Sequence, residues 1–306
     1  LKNHFEIALI VYAVGTLIAL AFLIWLWRYT RPEDEFIPFG DFKTQTLAVG
    51  EWSIRFHQSG RGPHLLLLHG IGANLYCWRW LVPLLNQKFT VTAIDLPGFG
   101  RSSKPLNASY GLDEQTERLL LILDALKIRK TYIVGNSMGA NIALWFAMKF
   151  PDRTESLALI APATSARLIP PLEKISWLSG PASLLLNRQA MKWAHARTVS
   201  KRDLVDNDRV EETYFTYGRQ PDAVRSFMLA AAAIRDSRIL SSLENFKTKV
   251  LILWGSNDRL VNRKVIDALK TALPEARTEI HVGGGHHLQE DEPEWVKEKL
   301  TDFFQA

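Results

Sequence analysis

The sequence predicts an α/β fold: a mostly parallel, eight-stranded sheet with a helical lid insertion, preceded by one N-terminal transmembrane helix. Three observations carry this expectation. Short apolar runs alternate with stretches of helical spacing from about Thr44 onward, the pattern of parallel strands covered on both faces by crossover helices. One of those runs, Thr131 to Val134, passes through Gly135-Asn136-Ser137-Met138-Gly139 into a helix-like stretch from Ala140 to Phe150. The third is Ile7 to Trp27, 21 residues without a charge.

That first run spans roughly 32 Å as a helix, close to the ~30 Å of a bilayer's hydrocarbon core. Trp25, Trp27 and Tyr29 gather at one end, as interfacial aromatic anchors do. The run closes on Leu26-Trp27-Arg28, which lacks the small residues of a signal-peptide cleavage site. Residues 1–27 therefore read as an uncleaved anchor. Gly15 and Ala19 form a small-xxx-small pair, which lets membrane helices approach closely and makes a homodimer through this helix an expectation. Lys2 on one flank is nearly balanced by Arg28 and Arg31, diluted by Glu33, Asp34 and Glu35, on the other. Charge therefore does not set the orientation. Residues 28–43, with Pro32, Pro38 and Gly40, read as a juxtamembrane linker.

The remaining chain is long enough for one large domain with a full core. Strands are expected near 45–49, 52–58, 64–69, 90–95, 131–135, 156–161, 249–254 and 278–283. The core is assigned to 44–163 and 241–306, and residues 164–240, helical in spacing, to a lid or cap. From Thr164 to Arg202 seven basic residues (Arg167, Lys174, Arg188, Lys192, Arg197, Lys201, Arg202) face one acid, Glu173. That segment carries +6 where the whole chain carries +5. Trp177, Leu184, Leu185, Leu186, Met191 and Trp193 lie among them. Basic and apolar residues together match an anionic lipid surface, and equally a lid with a solvated basic face. Nothing resembles a nucleic-acid-binding motif. Cys77 is the single cysteine, which excludes an internal disulfide and is compatible with either side of a membrane.

The chemistry centres on Ser137. A tight strand-to-helix turn demands small residues two before and two after its apex, and Gly135 and Gly139 meet that demand. A serine hydroxyl needs a base to take its proton and an acid to orient the base. Asp258 follows the apolar run Val250 to Trp254, and His286 lies in the loop Gly283-Gly284-Gly285-His286-His287. Asp267, in a helical pattern, and His281, in an alternating one, are weaker candidates. His287 is the rival base. No metal or organic cofactor is expected.

With these residues in place, the chain from about Thr44 resembles the α/β-hydrolase superfamily, whose triads run Ser, Asp, His in chain order. The run Leu65 to Leu68 ending in His69-Gly70-Ile71-Gly72 resembles its oxyanion loop. The resemblance implies an oxyanion hole made by the Ile71 and Met138 backbone N–H groups. Asp95-Leu96-Pro97-Gly98-Phe99-Gly100-Arg101-Ser102 resembles the loop after the fourth strand, with Asp95 as its organiser. His287-Leu288-Gln289-Glu290-Asp291 is similar to a loop of haloalkane dehalogenases and epoxide hydrolases, but those use an aspartate nucleophile where this chain has Ser137. The layout is most similar to single-pass, membrane-bound bacterial phospholipases A, with monoacylglycerol lipases near.

The resemblance implies a membrane-anchored serine hydrolase of membrane-lipid carboxyl esters, a phospholipase A or lysophospholipase. Membrane lipids, fatty acid products and the bilayer are its implied partners. An inner-membrane location with a periplasmic catalytic domain is also implied. Alternatives are a monoacylglycerol lipase or short-chain carboxylesterase, a carbon–carbon bond hydrolase of aromatic ring-fission products, and a non-catalytic lipid-binding scaffold. The Gly-Asn-Ser-Met-Gly elbow resembles that of the ring-fission enzymes, which commonly carry tryptophan where this chain has His287.

Overall fold

The computed structural model describes residues 2–30, 42–165 and 168–305. Most of the expected linker, residues 31–41, lies outside the described residues, as does Arg167.

A single helix, α1 (Lys2–Thr30), opens the chain. The expected transmembrane span over residues 7–27 is not supported by it: among the described residues no helix is long and apolar enough to cross a membrane. The side chains of Trp25, Trp27 and Tyr29 lie outside the described set. Within it, Leu9, Ile10, Val11, Tyr12, Leu17 and Ile18 are all exposed.

Eight strands follow: β1 (Gln45–Val49), β2 (Trp52–Gly60), β3 (His64–Leu68), β4 (Thr90–Ile94), β5 (Thr131–Asn136), β6 (Thr154–Ile160), β7 (Val250–Gly255) and β8 (Arg277–His281). They form one sheet in the order β1-β2-β4-β3-β5-β6-β7-β8. The first two pairings, β1 with β2 and β2 with β4, are antiparallel, and the other five are parallel. Each expected strand is present within two residues of its expected ends. Central strands such as β3, with Leu65 to Leu68 fully buried, are continuous apolar runs because both faces are covered.

The helices between strands are α2 (Val82–Leu85), α3 (Leu112–Ala125) and α4 (Met138–Lys149). Between β6 and β7 the elements among the described residues are all helical: a 3-10 stretch Leu172–Leu178, then α5 (Ser179–Leu185), α6 (Arg188–Thr198), a 3-10 turn Arg202–Leu204, α7 (Asn207–Tyr217), α8 (Pro221–Arg235) and α9 (Arg238–Ser241). The chain closes with α10 (Arg263–Ala272), α11 (Leu288–Asp291) and α12 (Pro293–Phe304). Helix α4 packs on β5 and β6, with α3 alongside it. Cys77 is buried, and burial pushes its thiol well above the usual range.

Register fixes where the loops meet. Leu68 pairs with Gly135, Asn136 with Ile160, Ile160 with Leu253, and Gly255 with His281. The C-terminal ends of β3, β5, β6, β7 and β8 therefore lie side by side, the edge at which open α/β sheets gather their ligand-binding loops.

Candidate active site

Ser137 stands alone between β5 and α4, with φ 55° and ψ −114°. A left-handed φ on a non-glycine residue is strained, and the neighbours show what holds it. A Cβ on Gly135 would lie 2.4 Å from the Gly139 carbonyl oxygen, and one on Gly139 would lie 2.3 Å from that of Leu68. Only glycine fits at either side of the turn. The Ser137 N–H donates to the Ile160 carbonyl at 2.9 Å, and the Asn136 amide donates to the carbonyls of Ile160 and His286, both at 3.2 Å. The elbow is thus tied to the histidine loop itself.

His286 is buried, and its Nδ1 lies 2.9 Å from Asp258 Oδ2. The other oxygen of Asp258 accepts from the backbone N–H groups of Leu260 and Val261, at 2.8 and 2.9 Å. Burial opposes ionisation of Asp258, but His286 and these two amides outweigh it and hold the carboxyl below the usual range. Glycines make the loop possible: a Cβ on Gly255 would lie 2.2 Å from the Gly284 carbonyl oxygen.

The loop from which an oxyanion hole is expected, His69 to Gly72, lies against the elbow, since a Cβ on Gly70 would come within 3.0 Å of Ser137 Cβ. Met138 is the first residue of α4, so its N–H has no acceptor within the helix. Ile71 borders the same cavity as Ser137. His69 is fully buried with a structural role: its Nδ1 reaches the Gly70 carbonyl at 2.7 Å and its Nε2 accepts from the Leu96 N–H at 3.0 Å. That pairing requires a neutral ring with its proton on Nδ1. Burial lowers its pKa to about 4.

The weaker candidates fall elsewhere. Asp267 is exposed on α10 beside Arg263 at 3.6 Å. His281 lies edge-on to Trp295, with ring centroids 5.0 Å apart. His287 is buried, but its Nδ1 faces Glu290 Oε2 at 2.7 Å rather than Asp258. Asp95 organises its loop: it takes Arg55 Nε at 2.5 Å and the N–H groups of Leu75 and Arg101 at 2.8 and 2.7 Å.

Ser137 and His286 share a cavity of about 560 Å³. Its lining is chiefly apolar, with Leu172, Leu186, Met191, Phe227, Met228 and Val261 contributed by the helical insertion and the loop after β7. Sequence reasoning missed two buried ionic networks beside it. Glu290 binds Arg79 Nη1 at 2.5 Å and Arg209 Nη2 at 2.7 Å. Glu212 binds Arg55 Nη2 at 2.6 Å and Arg101 Nη2 at 3.2 Å. Arg209 and Glu212 sit three residues apart on α7, so one face of that helix anchors the insertion to the core. The signal was an Arg-x-x-Glu pair in an otherwise ordinary helix, which by itself reads as a solvated face.

A family model for the alpha/beta hydrolase fold matches residues 63–293. The chain is 30% identical to a 2-hydroxymuconate semialdehyde hydrolase of Pseudomonas sp. (strain CF600), over 76% of this chain and 83% of that protein. It is 31% identical to a dihydrolipoyllysine-residue acetyltransferase component of an acetoin cleaving system from Pseudomonas putida, over 85% of this chain and 68% of that one. Among solved structures, a membrane phospholipase A described as a bacterial virulence factor superposes with a TM-score of 0.72 at 24% identity. That match covers 100% of this chain and 98% of the other. By sheet, elbow and family match together, the chain belongs to the alpha/beta hydrolase family.

Proposed function

We propose that this hydrolase cleaves carboxyl esters of membrane lipids through Ser137, His286 and Asp258, as a phospholipase A or lysophospholipase. The observation that carries the reading is the placement of Ser137 and a carboxylate-bonded His286 on one large apolar cavity, the shape an acyl chain requires. In this scheme Ser137 Oγ attacks the acyl carbonyl carbon and His286 takes its proton. The Ile71 and Met138 N–H groups hold the developing oxyanion. His286 then protonates the leaving alcohol, and a water deprotonated by His286 releases the fatty acid. Asp258 fixes the imidazole tautomer and offsets the charge that His286 gains.

Two features support a membrane setting. The sequence of α1 is uncharged from Ile7 to Trp27, and its described apolar side chains are exposed on all sides, an arrangement that stays in water only at high cost. On the insertion, Trp177, Leu185 and Trp193 are exposed beside Lys174, Lys192 and Arg197. Residues 1–27 are accordingly proposed as a single-pass anchor and the insertion as the part that meets lipid. A Cβ on Gly15 would meet nothing within 4 Å, so the Gly15–Ala19 face has room for a second helix and remains the proposed homodimer contact.

A second reading, hydrolysis of carbon–carbon bonds in ring-fission products, is favoured by the 2-hydroxymuconate semialdehyde hydrolase among the relatives. Release of fatty acid from diacyl and lysophospholipid by the full chain decides between them. Release should occur and fall about 10⁴-fold or more in Ser137→Ala. Undiminished release in that variant would overturn the mechanism. Turnover of a ring-fission product without ester cleavage would install the second reading.

A further inference from the structure

We infer that Arg209, on the cap helix α7, is a positioning residue for the base His286, acting through Glu290 and His287. The inference rests on the serine-hydrolase reading above. Arg209 and Glu290 are both almost fully buried, and Arg209 Nη2 lies 2.7 Å from Glu290 Oε2. That oxygen is also 2.7 Å from His287 Nδ1, and Arg209 Nη2 is 2.9 Å from the same ring nitrogen. The His287 ring stacks on that of His286, with centroids 5.5 Å apart and planes 30° from parallel. A guanidinium on the cap is therefore connected to the proposed base through one carboxylate and one ring.

The backbone repeats the connection. The His287 N–H donates to the carbonyl of Thr198, at the end of α6, at 2.8 Å. Arg209 Nη2 donates to the Thr198 hydroxyl at 3.2 Å. Asp291 accepts from the N–H groups of Ser200 and Lys201 on the cap side, at 2.9 and 3.3 Å, and from that of Gly285, just before His286, at 2.8 Å. The loop carrying His286 is thus held between the core and cap residues 198–209. Asp258 fixes one edge of the imidazole, and a single bond leaves the ring free to tilt about it. The stacked face of His287 limits that tilt, and Glu290 with Arg209 fixes His287. The cap then does more than cover the cavity: its seating sets the geometry of proton transfer, to which a misplacement of about 1 Å can cost on the order of 100-fold.

The test uses the full chain and a short, soluble p-nitrophenyl ester, which makes no demand on a lipid surface. Arg209→Met leaves Glu290 short of a partner and can fail to fold. The double variant Arg209→Met with Glu290→Gln leaves no carboxylate stranded and keeps an oxygen for His287. In the folded double variant kcat should fall about 10- to 100-fold while KM stays within about twofold, and labelling of Ser137 by a fluorophosphonate should slow in parallel. Arg209→Lys, which keeps the charge, should lose less than Arg209→Met. Glu211→Gln, on the same helix but exposed, should match wild type. A folded double variant with wild-type kcat, or a change confined to KM or melting temperature, would reduce Arg209 to a structural role and overturn the inference. Failure of the wild type itself to label would instead remove the serine-hydrolase reading, and the inference with it.

Discussion

Ser137 keeps a backbone conformation that few serines adopt, because its neighbours leave no other path. Gly139 is where that constraint is tightest: Gly139→Ala puts a methyl 2.3 Å from the Leu68 carbonyl oxygen, backbone that cannot swing aside. It should cost about 3 kcal/mol or more and should abolish ester hydrolysis in whatever fraction remains folded, as read by urea unfolding and activity together. His69 supplies a second residue-scale expectation. Its folded pKa of about 4 lies below the ordinary 6.5, so between these values the unfolded chain binds a proton that the folded one does not. Stability is therefore fully present above about pH 6.5 and is lost as pH falls toward 4, by about 3 kcal/mol in all. Burial lowers His195 and His287 as well, which steepens the same slope. Unfolding free energies of wild type and His69→Asn between pH 7 and 4 check this, because the variant should show the shallower slope; equal slopes would refute it. That Ser137, Asp258 and His286 would lie together was readable beforehand, because the first two follow apolar runs that stop at small or polar residues and the third follows three glycines. Adjacency did not show which of His286 and His287 meets Asp258: His286 Nδ1 does, at 2.9 Å, while His287 is taken up by Glu290 and by Arg209, which arrives from 78 residues away in sequence.

The strands were legible to within two residues because buried parallel strands are unbroken apolar runs, and because glycine or a charge ends most of them. The insertion was legible as helical, but not in how it is held. Nothing in the sequence marked Arg209 and Glu212 on α7, yet both are buried against core partners. A helix's pattern tells which face is apolar, not whether its charged face meets water or a countercharge on another element. The outer part of the insertion differs. Trp177 and Trp193 are 75% and 64% exposed, and Arg197 lies over the Trp193 ring at 5.1 Å. Trp177→Glu combined with Leu185→Glu, both exposed and outside the cavity lining, should reduce binding of the chain to anionic vesicles about tenfold or more, each buried side chain contributing on the order of a kcal/mol. Turnover of a soluble ester should stay within twofold. Equal vesicle binding would place lipid contact elsewhere.

At the scale of the whole molecule, two parts of very different surface share one chain. The body buries its apolar residues in a single core around the sheet, while α1 leaves Leu9, Ile10, Leu17 and Ile18 open. A chain lacking residues 1–30 should therefore hydrolyse short soluble esters at close to the wild-type rate and lose most of its turnover of bilayer phospholipid. Assaying both substrates on both chains checks this, and parallel loss on the two would make α1 a folding or assembly element. Crosslinking of the full chain in detergent tests the Gly15–Ala19 face: dimer should form and should weaken in Gly15→Leu.

The burial of Cys77 has a use beyond the fold. The one sulfhydryl in the chain is enclosed and held protonated, which leaves maleimides nothing to react with on the outside. A cysteine introduced by Leu185→Cys, exposed and outside the cavity lining, would be the sole site such a reagent could find. A fluorophore or spin label could then be set on the cap of the otherwise unaltered protein, and the distance from cap to core followed in real time while substrate turns over.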